Sequence, residues 1–174
     1  PSSAAMAPKL ARAASVAEAK GRDVSDLKAA LDALPGQVDT VAKVMYEPAR
    51  EAAKRFARAD QVLLTGAGPY HAPAEFGSAK LRELAPIHAY SFPLEEYHHY
   101  RTQKSGDVMF LVAADKASHA RALETAIMSR GSEGICVALV PEGETEIAEV
   151  ADIAWHLPDV AEETRPIVYS VPLH

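Results

Sequence analysis

Between Val62 and His99 the chain carries three sets of side chains that could do chemistry. Gly66-Ala67-Gly68 follows a short apolar run, Lys80 and Glu83 stand three residues apart in the next segment, and Glu96 precedes His99 by three. Glycines between a strand and a helix let backbone amides approach an anion at the helix N-terminus. A carboxylate held beside an ammonium suits moving a proton between two adjacent carbons, the ammonium keeping the carboxylate charged or steadying an enediolate oxygen. A loop histidine next to a carboxylate can carry a proton near neutral pH. Each set also has a plainer reading: a tight turn, a solvated ion pair at helical spacing, and an imidazole bound to local backbone.

Other chemistries fit less well. A dinucleotide fingerprint needs a third glycine at position 71, where His71 stands, and no acidic residue closes a following strand at the usual distance. His98 and His99 are neighbours and diverge in most backbone conformations. No Cys or carboxylate completes a metal set with them at a recognised spacing, so no metal and no cofactor are expected. His71, His88, His119, His156 and His174 are dispersed and read as partners of local backbone, and Ser118 and Ser170 lack a nucleophile-elbow context. Cys136 lies inside the apolar run from Ile135 to Val140 and reads as a small buried side chain.

The elements that must position these groups follow from periodicity. Residues 3–20 are alanine-rich with Leu10, Ala14 and Val16 on one side, a helix that Gly21 breaks. Asp23 or Ser25 can cap a second helix that Pro35-Gly36 ends at Leu34. A third, between Val38 and Ala59, is expected to kink or split at Pro48. Strands are then expected at 62–65, 87–91, 108–113, 135–140 and 153–157, alternating with helices at 71–84, 118–130 and 146–150. Short continuous Val/Ile/Leu runs separated by helices imply an α/β fold: a doubly wound, mainly parallel sheet flanked by helices, after an N-terminal helical lead-in. In such a sheet ligands sit beyond the strands' carboxyl ends, so candidate residues are expected near Gly66, after Ser91 or after Ala113.

A chain of 174 residues with 48% hydrophobic and 24% charged residues suits one globular domain with a real core. A net charge of -6 with scattered basic residues excludes a nucleic-acid surface. No apolar run approaches the roughly 18 residues of a membrane span. One cysteine cannot form an internal disulfide, which implies a reducing, cytoplasmic setting. The ends, Pro1-Ser2-Ser3 and Val171-Pro172-Leu173-His174, lack an initiator Met and stop in apolar sequence, so a longer parent protein is expected.

Over roughly residues 24–174 the sequence resembles the sugar isomerase (SIS) domain family. It is most similar to the second of two such domains in isomerising glutamine–fructose-6-phosphate aminotransferases and related sugar-phosphate deglycases and deaminases. The resemblance is carried by Leu27 to Pro35, Gly66-Ala67-Gly68, Gly77 to Leu84, Ile87-His88-Ala89, Glu96 to His99, and Tyr169 to Leu173. It implies a lead-in at 1–22 and an SIS domain at 23–174, truncated at its C-terminus. It also implies a sugar-phosphate or aminosugar-phosphate ligand. In the roles it implies, Glu83 shuttles a proton between C1 and C2, Lys80 supports it, and His99, donated by the partner of a homodimer, opens the sugar ring. Glu96 takes the acidic position of the histidine motif, and Gly66, Ala67 and Gly68 contact substrate. Tyr100-Arg101 replaces the family's glycine-proline after the histidine. The serine- and threonine-rich phosphate cradle is replaced by Ala113 to Ser118, where Asp115 would repel a phosphate, and the family's catalytic lysine tail would lie beyond His174. Those departures leave a second reading open, a non-catalytic sugar-phosphate-binding regulatory or dimerisation module.

Overall fold

Three near-continuous apolar runs make the centre of the sheet, as strands covered on both faces require. In the computed structural model, which describes residues 3–85 and 87–174, β1 (Gln61–Gly66), β3 (Val108–Val112) and β4 (Ile135–Pro141) are flanked by β2 (His88–Pro93) and β5 (Ile153–Leu157). All neighbours are parallel, in the order β2-β1-β3-β4-β5. The chain leaves β1 for β2 on one side and returns to place β3 on the other, so the topological switch lies between β1 and β3. Of the lead-in expected at 1–22, residues 1 and 2 lie outside the described residues.

Alternate strand residues feed two cores. Val62, Leu64, Val108, Val112, Val137 and Leu139 face α2 (Ser25–Phe56), α3 (His71–Leu84) and α7 (Arg165–Ser170), and Ala7 and Leu10 of α1 (Ser3–Ala19) pack against the same cluster. Leu63, Met109, Leu111, Cys136, Ala138 and Val140 face α4 (Leu94–Tyr100), α5 (His119–Gly131) and α6 (Glu146–Val150). The doubly wound reading holds.

Two elements differ from expectation. Pro35-Gly36 neither ends a helix nor does Pro48 split one: α2 runs unbroken for 32 residues. Its buried positions are Ala30, Leu34, Val41, Met45, Ala52 and Phe56, a pair of sites repeating every eleven residues, or three helical turns. That stripe stays on the core throughout, while Pro35 and Pro48 fall on the exposed side, where carbonyls deprived of an N–H partner can be met by water. The second difference is α4, a short helix where the sequence reading had only an acidic, histidine-rich connection.

Candidate functional site

At the carboxyl end of β1, Gly66 is required by close approach. A Cβ there would stand 2.4 Å from the Tyr70 carbonyl oxygen, because the chain folds back at once through a 3-10 turn, Gly68–Tyr70. Gly68 has φ +50°, the left-handed region that glycine enters freely. Few amides remain for an anion. Pro69 has none, the Tyr70 N–H donates to the Ala67 carbonyl at 2.9 Å, and the His71 N–H turns back to the Gly68 and Pro69 carbonyls.

Lys80 and Glu83 lie at the other end of α3. Because α3 returns from the carboxyl end of β1 to the start of β2, its last turn sits at the amino end of the sheet. Twelve residues separate His71 from Glu83, roughly 18 Å along the helix. The expectation that the site residues gather at the strands' carboxyl ends therefore holds for Gly66, Ala67 and Gly68 and fails for Lys80 and Glu83. One sugar phosphate cannot touch both groups within a single protomer.

Around Glu83 the packing is specific. Gly77 seats α3 closely: a Cβ would meet the Leu64 side chain at 2.8 Å and that of Leu173 at 3.0 Å. One turn on, Lys80 Nζ donates to Glu83 Oε2 at 2.7 Å, with the Glu83 side chain 61% exposed. That bond and the charge of Lys80 hold the carboxyl below its ordinary range, with a smaller contribution from His174. The His174 ring stacks on Phe76 at 5.5 Å, and Lys80 Nζ lies 5.9 Å from the same Phe76 ring. Beside this cluster opens a groove of about 640 Å³ lined by Phe56, Leu81, Phe110, Trp155, Leu173 and His174.

Helix α4 carries Glu96 and His99 and is fastened to α5. Arg121 binds Glu95 through two nitrogens and Glu124 at 2.7 Å. Thr125 Oγ1 donates to the Arg121 carbonyl and so accepts from His98 Nε2, 2.8 Å away. Burial holds the His98 ring below its usual pKa, and the nearby Arg121 charge adds to this. Tyr97 is buried and donates to Gln103, whose amide donates in turn to the Asp107 carbonyl at 3.1 Å. Arg101 caps the helix at φ +44°, its N–H bound to the Tyr97 carbonyl, at the position where the family's motif continues past glycine. With His98 turned inward, His99 is exposed and Glu96 half-buried beside Tyr100.

Glu83 and His99 thus belong to helices on opposite faces of the sheet, and the fold does not bring them together within one protomer. Sequence reasoning missed Arg121, and it missed the His119–Glu144 pair at the carboxyl ends of β3 and β4. Both contacts link segments about 25 residues apart, beyond any local pattern. Cys136 is fully buried, its thiol pushed up to about 12 by desolvation. Among the described residues no group of three His, Cys, Asp or Glu side chains could hold a metal ion. No described helix is long and apolar enough to cross a membrane.

No family model matches the sequence. Among curated proteins, the chain is 28% identical over 145 residues to the isomerising glutamine–fructose-6-phosphate aminotransferase of Bacteroides thetaiotaomicron. It is 31% identical over 153 residues to that of Mycolicibacterium paratuberculosis. Each alignment covers 82% of this chain and 24% of the relative, so the chain spans about a quarter of those proteins. Among solved structures, the C-terminal domain of glucosamine-fructose-6-phosphate aminotransferase from Francisella tularensis superposes with a TM-score of 0.73. That match has 20% identity and covers 82% of this chain and 41% of that one. The Vibrio vulnificus NanR protein complexed with ManNAc-6P gives 0.67 at 14% identity, covering 91% and 62%. The resemblance read from the sequence is borne out in relatives and in fold.

Proposed function

From this SIS-like fold and its aminotransferase relatives, we propose that residues 23–174 form a sugar-phosphate-binding domain of a cytoplasmic, homodimeric isomerase, aminosugar-phosphate deaminase or deglycase. Glu83 is the proton carrier. Its carboxylate takes the proton from C2 of the open-chain sugar and returns it to C1, while the carbonyl and hydroxyl oxygens exchange roles through an enediolate that Lys80 steadies. His99 of a second copy opens the ring, giving a proton to the ring oxygen as the anomeric C–O bond breaks. Glu96 lies one turn before His99 on the same helix and supports it.

The observation that carries this reading is the last turn of α3. It presents an ionised Glu83, paired to Lys80, beside a groove with His174 in its wall. The test is wash-in of deuterium from D2O at C1 of fructose 6-phosphate and at C2 of the aldose phosphate formed from it. Glu83→Gln is expected to lower exchange about 10²- to 10⁴-fold with an unchanged far-UV spectrum; exchange at the wild-type rate discards the assignment. Mixing Glu83→Gln with His99→Asn copies should restore activity if the histidine acts across a dimer, and no recovery removes that role.

A second reading, a non-catalytic binding or regulatory module, is favoured by the helix length between Glu83 and the Gly66-Ala67-Gly68 turn. A sugar phosphate bound at that turn is out of reach of the base, as suits a sensor; NanR in complex with ManNAc-6P shares the fold. On this reading the chain binds fructose 6-phosphate without accelerating exchange.

A further inference from the structure

Helix α4 is seven residues long, too short to keep its shape or direction by itself. Its inner side holds it. Leu94 and Tyr97 are buried, and His98 follows one turn after Leu94 on that side, which leaves Glu96, His99 and Tyr100 on the other. Leu94 and Tyr97 join the apolar core beneath, contacts that resist separation but prefer no angle. The roll of α4 about its axis decides where His99 points, and it falls to directional bonds.

Three such attachments are present. The Tyr97 hydroxyl donates to Gln103, only six residues further along the chain. Arg121 of α5 pairs with Glu95, but the two side chains are 40% and 56% exposed, so water screens that pair. The third joins His98 Nε2 to Thr125 Oγ1 at 2.8 Å, across 27 residues to α5. Thr125 is fully buried, and its own hydrogen goes to the Arg121 carbonyl at 2.8 Å. The hydroxyl thus offers His98 a lone pair, which an N–H at the Nε2 position completes. Helix α5 is itself seated on the sheet through buried Ala122 and Ala126. Among the described residues, the His98 bond is the one from α4 to another helix whose acceptor is buried.

We propose that His98 is a positioning residue, whose bond to Thr125 fixes the roll of α4 so that His99 faces out of the protomer toward the sugar ring held by a second copy. The two neighbouring histidines divide the work: one is bonded inward as an anchor, the other is exposed and hands on a proton. Without the bond α4 can turn on its apolar side, and a shift of roughly 1 Å at His99 spoils the alignment that proton transfer needs. The inference rests on the reading of His99 as the ring-opening acid and adds which residue holds that acid in place.

The test compares two substrates. Fructose 6-phosphate is closed through its 5-hydroxyl and must be opened first, whereas 5-deoxyfructose 6-phosphate lacks that hydroxyl and stays open. Deuterium wash-in at C1 is followed for both in the wild type, His99→Asn, His98→Leu, His98→Gln and Thr125→Val. Glutamine puts an amide N–H near the position of Nε2 and keeps the bond, while leucine and valine keep the bulk and remove it. His98→Leu and Thr125→Val should each lower wash-in with fructose 6-phosphate about 10- to 100-fold, and their combination no further. The open compound should exchange at the wild-type rate in all of them, and His98→Gln should recover the rate with fructose 6-phosphate. Wild-type exchange of fructose 6-phosphate in His98→Leu overturns the inference and leaves the roles of Glu83 and His99 standing. An equal fall with both substrates assigns the bond to folding and overturns it too, as does no recovery in His98→Gln. If the wild type exchanges only the open compound, or His99→Asn loses nothing, the reading of His99 fails; if the wild type exchanges neither, the proton transfer fails. In each of those cases the inference falls as well.

Discussion

Gly66 and Gly68 sit two residues apart in one turn, yet the structure makes them necessary for different reasons, and a small substitution series separates the two. At Gly66 φ is ordinary and space is the constraint: a Cβ would meet the Tyr70 carbonyl oxygen at 2.4 Å, its carbon at 2.8 Å and the His71 nitrogen at 3.2 Å, all backbone. Backbone cannot rotate away as a side chain can, so the turn must shift. Overpacking of this kind costs about 1–3 kcal/mol, which for a chain of this size is a fall of about 2–12 °C in Tm at 2–4 °C per kcal/mol. At Gly68 nothing lies within 4 Å of a Cβ, and the constraint is φ +50°. Alanine there costs about 1–2 kcal/mol of left-handed strain, and asparagine, which tolerates that region, costs less than alanine. The expected order is therefore Asn worse than Ala at position 66 and better than Ala at position 68. Urea unfolding followed by the fluorescence of Trp155, the single tryptophan and a buried one, measures all four variants. If Gly66→Ala falls within about 0.5 kcal/mol of wild type and Gly66→Asn is no worse, the turn does not close as described.

Two further outcomes test other parts of the fold. Pro48→Ala should stabilise the chain by about 1–2 kcal/mol, because it restores an N–H to an unbroken exposed helical turn while restoring some unfolded-state freedom; a neutral or destabilising result in the same urea assay would mean that α2 is interrupted there. His98 has a folded pKa below its unfolded value near 6.5, so the folded state binds fewer protons just below that pH. The stability that comes from keeping this buried ring uncharged beside Arg121 is then complete above about pH 6.5, falls as pH drops toward the folded pKa and levels off beneath it. Replacing His98 by Gln should flatten that part of the curve, and an unchanged slope would remove His98 as its source.

The legibility of this chain tracks the range over which each feature is decided. Val62–Thr65, Val108–Ala113 and Ile135–Val140 read as strands because a parallel strand buried on both faces must be apolar at every position, a strictly local demand. The two prolines misled because their cost is local while the compensation is not: the stripe from Ala30 to Phe56 keeps one helix on the core across both. Helix α4 was available in principle, since Glu95 and Glu96 open it and His98 and His99 close it, the charge order a helix dipole favours. At seven residues it has no apolar period long enough to compete with that of a loop.

For the site, the spacing of Lys80 and Glu83 showed the pair but not which end of the sheet it occupies, because that is set by the direction in which α3 returns to β2. The distinction has a chemical consequence. A carboxylate at the amino end of the sheet and a glycine turn at the carboxyl end cannot serve one small substrate in one protomer. The proposed catalysis at Glu83 therefore requires groups from outside the protomer, whereas the proposed binding at the turn does not. On the proposed reading, a dilution series that separates the copies should extinguish deuterium wash-in while leaving sugar-phosphate binding at the Gly66-Ala67-Gly68 turn intact. Loss of both at the same dilution would show that the two ends of α3 do not act independently.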